Sequence, residues 1–126
     1  MKFTKATDYA LHIMAYLVKQ EGKENFSLLP LATHMNVSST YLSKILTQLV
    51  KAGLIQSTAG VNGGYSLRKD KSEICFYDVV QAIEGSGALF SCEMDDRHAC
   101  PIEKVMKDAE KKMMDELKAR KFIDII

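Results

Sequence analysis

The fold is decided by the stretch "LATHMNVSSTYLSKILTQLVKAGLIQSTAGVNGGYSL", residues 31–67. Two short amphipathic segments are joined by the turn-forming "HMNVSS", and two β-prone runs then flank the glycine-rich "AGVNGG". A pair of helices with a tight turn, followed directly by a glycine-tipped hairpin, is typical of a winged helix-turn-helix. The sequence therefore predicts a mainly α fold with a small β-hairpin wing.

Helical periodicity and capping residues predict the other elements. Thr4 is the expected N-cap of a first helix that ends near Gly22, and Phe26 with Ser27 gives a staple residue and an N-cap for the second helix. Proline suits the first position of a helix because its missing N–H is not needed there. The predicted helices after the first run from Leu28 to Met35, from Ser38 or Ser39 to about Ala52, from Phe76 to Glu84, and onward from Pro101.

Composition limits the class of protein. The chain has 126 residues, of which 47% are hydrophobic, and this fits one compact domain. Asp8, His12 and Lys19 interrupt the N-terminal apolar residues before a run of about 18 forms, so neither a signal peptide nor a membrane span is expected. We therefore expect a cytoplasmic protein whose three cysteines are thiols or ligands rather than a disulfide framework.

One face of the third predicted helix is polar and belongs to a mildly basic half of the chain. Residues 1–75 hold nine Lys or Arg and five Asp or Glu, which suits a polyanion partner. Hydroxyls, amides and lysines contact phosphates and base edges, and glycines let backbone approach closely. A helical bundle with an ordinary solvated face is the alternative, which the wing disfavours. The candidate DNA-binding residues are Ser39, Thr40, Tyr41, Ser43, Lys44, Thr47, Gln48 and Lys51 in the helix, with Asn62, Gly63, Gly64 and Tyr65 in the wing.

Four motifs resemble a known family in their order and spacing. They are "DYALHIMAYL", "LATHMNVSSTYLSKILTQLVKAGLIQS", "GVNGGYSL" and "DVVQAIEG". The chain is similar to the bacterial winged-helix regulators that include IscR, NsrR and CymR, closely up to about residue 85 and more loosely to the last helix. The resemblance implies a homodimeric transcription regulator that places the third helix and the wing on palindromic double-stranded DNA.

The resemblance also implies a division of the chain into three segments. Residues 1–85 would form the winged helix-turn-helix DNA-binding domain, residues 86–100 a sensor loop, and residues 101–126 a dimerisation helix with a tail. The last helix carries an apolar stripe on one side, which needs a partner surface that a second copy would supply. The stripe consists of Ile102, Val105, Met106, Ala109, Met113 and Leu117.

Two positions depart from the family pattern. Several relatives carry an acidic residue where this chain has Ser43, and an arginine where it has Ala59. Because arginine is the usual bidentate reader of guanine, its absence leaves the operator sequence open. Phosphate binding is unaffected by this departure.

The loop before the last helix contains half of a possible metal site. Cys92 and Cys100 are separated by seven residues, and the loop has no third cysteine. A cluster needs about four ligands, so two thiolates are too few. Asp8 and His12 lie four residues apart on one face of the first helix, where a carboxylate and an imidazole can bind a single metal atom or cluster.

The resemblance joins these two pairs. NsrR-like members use an aspartate on the first helix as a cluster ligand, and the related regulator RsrR combines two loop cysteines with a glutamate and a histidine from the first helix of the other subunit. The similarity therefore implies a metal site made of Asp8, His12, Cys92 and Cys100, completed across the dimer. It would hold an iron–sulfur cluster, with two irons and two sulfides, that senses redox, nitric oxide or iron–sulfur status.

Other interpretations stay open at this point. Asp8 and His12 could be an exposed helical pair worth about 0.2–0.5 kcal/mol. Cys92 and Cys100 could form a cluster-free thiol sensor, with the helix start favouring the Cys100 thiolate, and His98 could join them around zinc. A small molecule or a protein partner could also be the signal, in place of a cluster or a thiol. Cys75 and His34 are expected to be a small buried residue and an exposed residue near the turn.

A small redox enzyme or electron carrier is the remaining class. The sequence has no Cys-x-x-Cys pair, no nucleotide-binding glycine motif and no nucleophile–base constellation. We therefore expect that the chain is not an enzyme.

Overall fold

The computed structural model describes residues 2–20, 27–61, 63–87, 89–90 and 100–126. The elements, in chain order, are α1 (Lys5–Lys19), α2 (Leu28–Met35), α3 (Ser39–Lys51), β1 (Ile55–Thr58), β2 (Gly64–Leu67), α4 (Phe76–Glu84) and α5 (Pro101–Ala119). Short 3-10 turns lie at Lys71–Glu73 and Phe122–Ile125. The predicted fold, mainly helical with a two-stranded hairpin, is confirmed.

The helix ends follow from local chemistry. Thr4 has an extended backbone, and its hydroxyl accepts a hydrogen bond from the Thr7 amide, which also donates to the Thr4 carbonyl at 3.1 Å. The Ser38 hydroxyl likewise accepts from the Tyr41 amide at 3.2 Å at the start of α3. Ser27 is the N-cap of α2, as predicted, although its side chain makes no capping hydrogen bond. The predicted staple residue, Phe26, lies outside the described residues.

Helices α1, α3 and α4 pack around a common hydrophobic core. Ile13 and Met14 of α1 are fully buried, as are Leu42 and Leu46 of α3. α2 closes the bundle through Leu31, and the turn between α2 and α3 is made by Asn36, whose backbone is left-handed at φ 57°. The turn presents α3 on the outside of the bundle, because only one side of that helix is apolar.

The wing is an antiparallel pair that follows α3 immediately. Ile55 pairs with Leu67 at its base and Thr58 pairs with Gly64 near its tip. Ile55 is buried under the bundle, which fixes the base of the hairpin, while the rest of β1 is exposed. The hairpin is therefore held to the bundle at its base, while most of β1 stays exposed.

The chain's last residues return to the winged-helix domain. Phe122 is 1% exposed, and its ring lies parallel to that of Phe76 with centroids 4.4 Å apart. An isolated antiparallel bridge joins Cys75 to Lys121, and the Phe122 amide donates to the Ile74 carbonyl. These contacts anchor the C-terminal end of α5 to the core. The sequence did not predict them.

Candidate DNA interface and sensor surface

The outer face of α3 carries most of the predicted DNA-binding side chains. Thr40, Lys44, Gln48 and Lys51 are exposed, in agreement with their expected position on the polar side of the helix. Ser39, Tyr41 and Ser43 are only partly exposed. The two lysines lie seven residues apart, which is two helical turns, so they give this face a positive row with amide and hydroxyl groups beside it.

Two residues of α3 that were predicted to bind DNA also contact other residues of the chain. The Thr47 hydroxyl donates to the Ser43 carbonyl at 2.8 Å, which ties that side chain to its own helix. The Tyr41 ring packs edge-on against Tyr9 of α1, with centroids 5.8 Å apart. Tyr41 therefore also positions the start of α3 against α1, a role that spacing alone did not indicate.

The fold itself requires glycine in the wing, independently of the predicted contact with DNA. A Cβ on Gly63 would lie 2.1 Å from the Thr58 carbonyl oxygen, so no other residue fits without moving the strand. Gly64 has φ 136°, a value that disfavours other residues. Tyr65 is half-buried and packs against the core, so only part of it faces outward. Asn62 lies outside the described residues.

A carboxylate joins the start of α1 to the end of α4. Glu84 accepts hydrogen bonds from the Thr7 hydroxyl at 2.5 Å, from the Thr4 amide at 2.9 Å and from the Thr4 hydroxyl at 2.9 Å. The Thr7 hydrogen bond, followed by that from the Thr4 amide, lowers the pKa of Glu84. This three-bond contact fixes α1 relative to the point where the chain leaves α4 for the predicted sensor loop, and no sequence signal indicated it.

Asp8 and His12 form an exposed pair one turn further along α1. The His12 ring nitrogen Nδ1 lies 2.8 Å from the Asp8 backbone carbonyl and 3.3 Å from its carboxylate oxygen Oδ1. The two side chains are 67% and 71% exposed for Asp8 and His12 respectively, so this pair adds little to stability. A hydrogen bond from Nδ1 to the carbonyl places the lone pair on Nε2, the nitrogen on the opposite side of the ring.

The described residues do not assemble a complete metal site. No group of three or more His, Cys, Asp or Glu side chains lies together within the part of the chain that the structure describes. Cys100 is partly exposed and is the N-cap of α5 with Pro101 at the first position, as predicted, but its side chain makes no capping bond. The structure thus places one predicted pair on α1 and one cysteine at the start of α5, while Cys92 and His98 lie outside the described residues.

A groove follows the exposed side of α1 beside the Asp8 and His12 pair. It measures about 640 Å³ and is lined by residues of α1 from Asp8 to Lys19 and by the tail residues Ile125 and Ile126. His34 lines it and stacks on Tyr16 with centroids 4.8 Å apart. The prediction of an exposed His34 is confirmed, and the stacking partner is an addition from the structure.

Cys75 is buried, as the sequence predicted. It is 8% exposed at the start of α4, and its amide donates to the Asp78 carboxylate at 3.1 Å. Burial raises the pKa of the Cys75 thiol, which disfavours the reactive thiolate. This cysteine is therefore part of the packing at the junction between the wing and α4.

The apolar stripe of α5 is uncovered at its N-terminal end. Ile102 and Val105 are 67% and 66% exposed, and Met106 is also exposed. Further along, Met113 and Leu117 are half-buried because this end of the helix packs against α4. Among the described residues no helix is both long enough and apolar enough to cross a membrane.

A comparison with protein-family models identifies the family of the chain. Residues 3–126 match the model of the Rrf2 family, described as iron-dependent transcriptional regulators. The chain belongs to the Rrf2 family. Members of the family are DNA-binding transcription regulators, so the predicted resemblance and the expectation that the chain is not an enzyme are both confirmed, and the redox-enzyme interpretation is set aside.

Individual relatives agree with this membership. The chain is 39% identical to YffB of Lactococcus lactis over 93 residues, which are 74% of this chain and 60% of YffB. It is 34% identical to the HTH-type transcriptional regulator NsrR of Halalkalibacterium halodurans over 107 residues, 85% of this chain and 73% of NsrR. The crystal structure of oxidized Staphylococcus aureus CymR superposes with a TM-score of 0.78 at 30% identity, covering 97% of this chain and 93% of CymR.

Proposed function

We propose that this Rrf2 regulator works as a homodimer whose DNA affinity responds to redox, nitric oxide or iron–sulfur status. Asp8 and His12 of one subunit would bind a two-iron two-sulfur cluster together with Cys92 and Cys100 of the partner subunit. The observation that carries the proposal is the hydrogen-bond geometry of His12. Its Nδ1 lies 2.8 Å from the Asp8 carbonyl, while the ring itself stays exposed.

This geometry is what a metal-binding histidine needs. Such histidines generally donate their second ring N–H to a carbonyl or carboxylate, which fixes the tautomer and the direction of the free lone pair. In α1 that donor role falls to Nδ1, which leaves the lone pair of Nε2 available for a metal. Asp8 is exposed and lies one turn before His12 on the same helix face; its carboxylate, which lies beside Nδ1, would have to turn about its side-chain bonds to share a metal with Nε2.

Two incomplete sets of ligands support a site shared between subunits. α1 offers one oxygen ligand, from Asp8, and one nitrogen ligand, from His12. The segment before α5 offers two thiols, one of which is Cys100 at the start of the helix. The exposed residues Ile102, Val105 and Met106 follow Cys100 directly. A second copy packed on this apolar end would therefore bring its own α1 or loop near the thiols, and burial of the stripe would stabilise the pair.

A cluster would supply a group that changes charge on reduction and that oxidants or nitric oxide remove. The protein's own residues then determine how that change reaches DNA. α1 packs on α3, and Glu84 ties its N-terminus to α4, so a shift of α1 relative to the other subunit moves the whole reading head. The regulator responds only if the two states differ in their affinity for DNA.

Anaerobic purification tests the cluster. We expect coloured protein with equal amounts of iron and acid-labile sulfide, and we expect Cys100→Ala to lose both because a thiolate ligand is missing. Cys75→Ala is the matched control. Because the Cys75 thiol is buried and is not a proposed ligand, this variant is expected to keep the full iron content. Colourless protein without iron, after anaerobic purification and reconstitution, would contradict the proposal.

A thiol sensor is the second candidate function. It is favoured by the similarity to oxidized CymR at 30% identity and by the partial exposure of Cys100. This function expects the colourless outcome of the same purification, together with a reversible Cys92–Cys100 disulfide after mild peroxide, detected by mass spectrometry. The two functions therefore give opposite results in one preparation.

The DNA contacts are proposed to come from the outer face of α3 and from the wing. Lys44 and Lys51 are exposed on this face and are suited to phosphate, while Thr40 and Gln48 are suited to base edges. Ser39, Tyr41 and Ser43 flank them, and Asn62, Gly63, Gly64 and Tyr65 would contact the backbone from the wing. The free amides at the start of α3 add a favourable position for a phosphate.

Salt dependence tests this placement. For a fragment retained in a genomic binding selection at low salt, we expect Lys44→Ala and Lys51→Ala each to weaken binding and to reduce the slope of log K against log salt by about 1. Lys112→Ala is the control because it removes the same charge from an exposed position on α5. Equal slopes in all three variants would argue that α3 does not contact DNA.

A further inference from the structure

The tip of the wing presents an apolar side chain at its apex. Val61 is fully exposed there, between the two strands of the hairpin. From Ile55 to Leu67 the sequence contains no Lys, Arg, Asp or Glu. If the wing lies against DNA, no charged side chain of its tip touches the duplex. The contact is then made by the protein backbone, neutral polar groups and Val61.

The turn holds Val61 in a defined position. The Gly63 amide donates to the Gly60 carbonyl at 3.0 Å, which closes a four-residue turn with Val61 as its second residue. Gly60 has φ 101°, and a side chain on Gly63 would collide with the Thr58 carbonyl. The tip is therefore a turn on which the isopropyl group of Val61 is exposed.

In the minor groove of DNA, A·T and G·C pairs differ by one chemical group. A·T and T·A pairs offer only acceptors there, and G·C pairs add the guanine N2 amino donor. The acceptors are common to all pairs, so their desolvation cancels in a comparison. The amino group is the difference, because a valine that covers it removes water and offers no acceptor in return.

We propose that the wing tip enters the minor groove of the operator and that Val61 there rejects guanine amino groups, so that operators of this regulator carry A·T pairs beneath the wing. This inference rests on the proposed DNA-binding role of α3 and the wing. It gives the chain a specificity determinant near the place where Ala59 stands in the family's arginine position. Arginine in a narrow minor groove is favoured by electrostatic potential, which salt screens. Selection by Val61 is steric and solvational, so the preference itself is independent of salt.

Base analogues test the inference without changing the protein. Hydroxyl-radical footprinting on a retained genomic fragment first locates the pairs under the wing. Those A·T pairs are then replaced by G·C, by inosine·C, which lacks the amino group, and by diaminopurine·T, which carries it. We expect about tenfold weaker binding for G·C and diaminopurine·T, equivalent to one unpaired buried donor. Inosine·C is expected to bind like A·T at every salt concentration.

A protein variant completes the test. Val61→Ser offers an acceptor of smaller size at the same position, and we expect it to reduce the G·C penalty to less than about threefold. Ala59→Ser is the matched control at an exposed neighbouring position and should keep the full penalty. Inosine·C that binds as weakly as G·C, or a penalty unchanged by Val61→Ser, would overturn the inference while leaving DNA binding intact. Failure to retain any genomic fragment would overturn both.

Discussion

Phe122→Ala is expected to lower the free energy of unfolding by about 3–5 kcal/mol, the usual cost of removing a buried aromatic ring from a core. Phe122 is 1% exposed and lies parallel to Phe76, so the truncation leaves a cavity and removes the ring contact. Urea unfolding followed by circular dichroism measures the change. Protein concentration must be equal in all samples, since association would stabilise the folded state.

The adjacent residue provides the control for Phe122. Ile123 is 39% exposed, and we expect Ile123→Ala to change stability by about 0.5 kcal/mol or less. Phe122→Leu keeps part of the apolar volume and should fall between the two. Equal, small losses for Phe122→Ala and Ile123→Ala would mean that the tail is detached from the winged-helix domain in solution.

Mixed dimers are expected to retain one intact cluster site if each site is shared between the two subunits. When a His12→Ala chain and a Cys100→Ala chain are co-expressed with different tags, the purified heterodimer should hold half of the wild-type iron, and each homodimer of a single variant should hold none. In the heterodimer one site has lost both kinds of ligand, whereas the other combines intact Asp8 and His12 with intact Cys92 and Cys100. Iron and sulfide assays after anaerobic tandem purification measure the outcome.

The opposite arrangement gives a different count. If all four ligands came from one chain, each site of the heterodimer would carry one substitution and iron would be absent. His34→Ala is the control because His34 lines the same groove as His12 yet has no place in the proposed ligand set. Full iron in the His12→Ala homodimer would remove His12 from that set.

The winged-helix part was predictable because its signals are local. The caps Thr4 and Ser38, the start of α5 at Pro101 and the glycines of the hairpin each act within a few residues, and the structure has them where the sequence indicated. Periodicity likewise identified the buried side of α3. Such patterns are sufficient when the element and its signal lie in the same segment of the chain.

Contacts between distant residues were not predictable in this way. Glu84 and Thr7 are 77 residues apart, and neither has a spacing or motif that pairs them. Phe122 reads from the sequence as one apolar residue in a tail, and its burial depends on how α5 directs the chain back to Phe76. The proposed metal ligands have the same difficulty in a stronger form, since they are expected to come from two chains.

The attachment of α5 at one end makes it a lever. The helix has 19 residues and is about 28 Å long, so a rotation of about 5° about the Phe122 anchor moves the Cys100 end by roughly 2.5 Å. The reverse holds when two copies are joined through the free ends: a small angular change at the junction is amplified into the distance between the two recognition helices. Palindromic DNA fixes that distance to the helical repeat, which leaves little tolerance. A helix anchored at one end can therefore turn a small angular change at a subunit contact into loss of operator register.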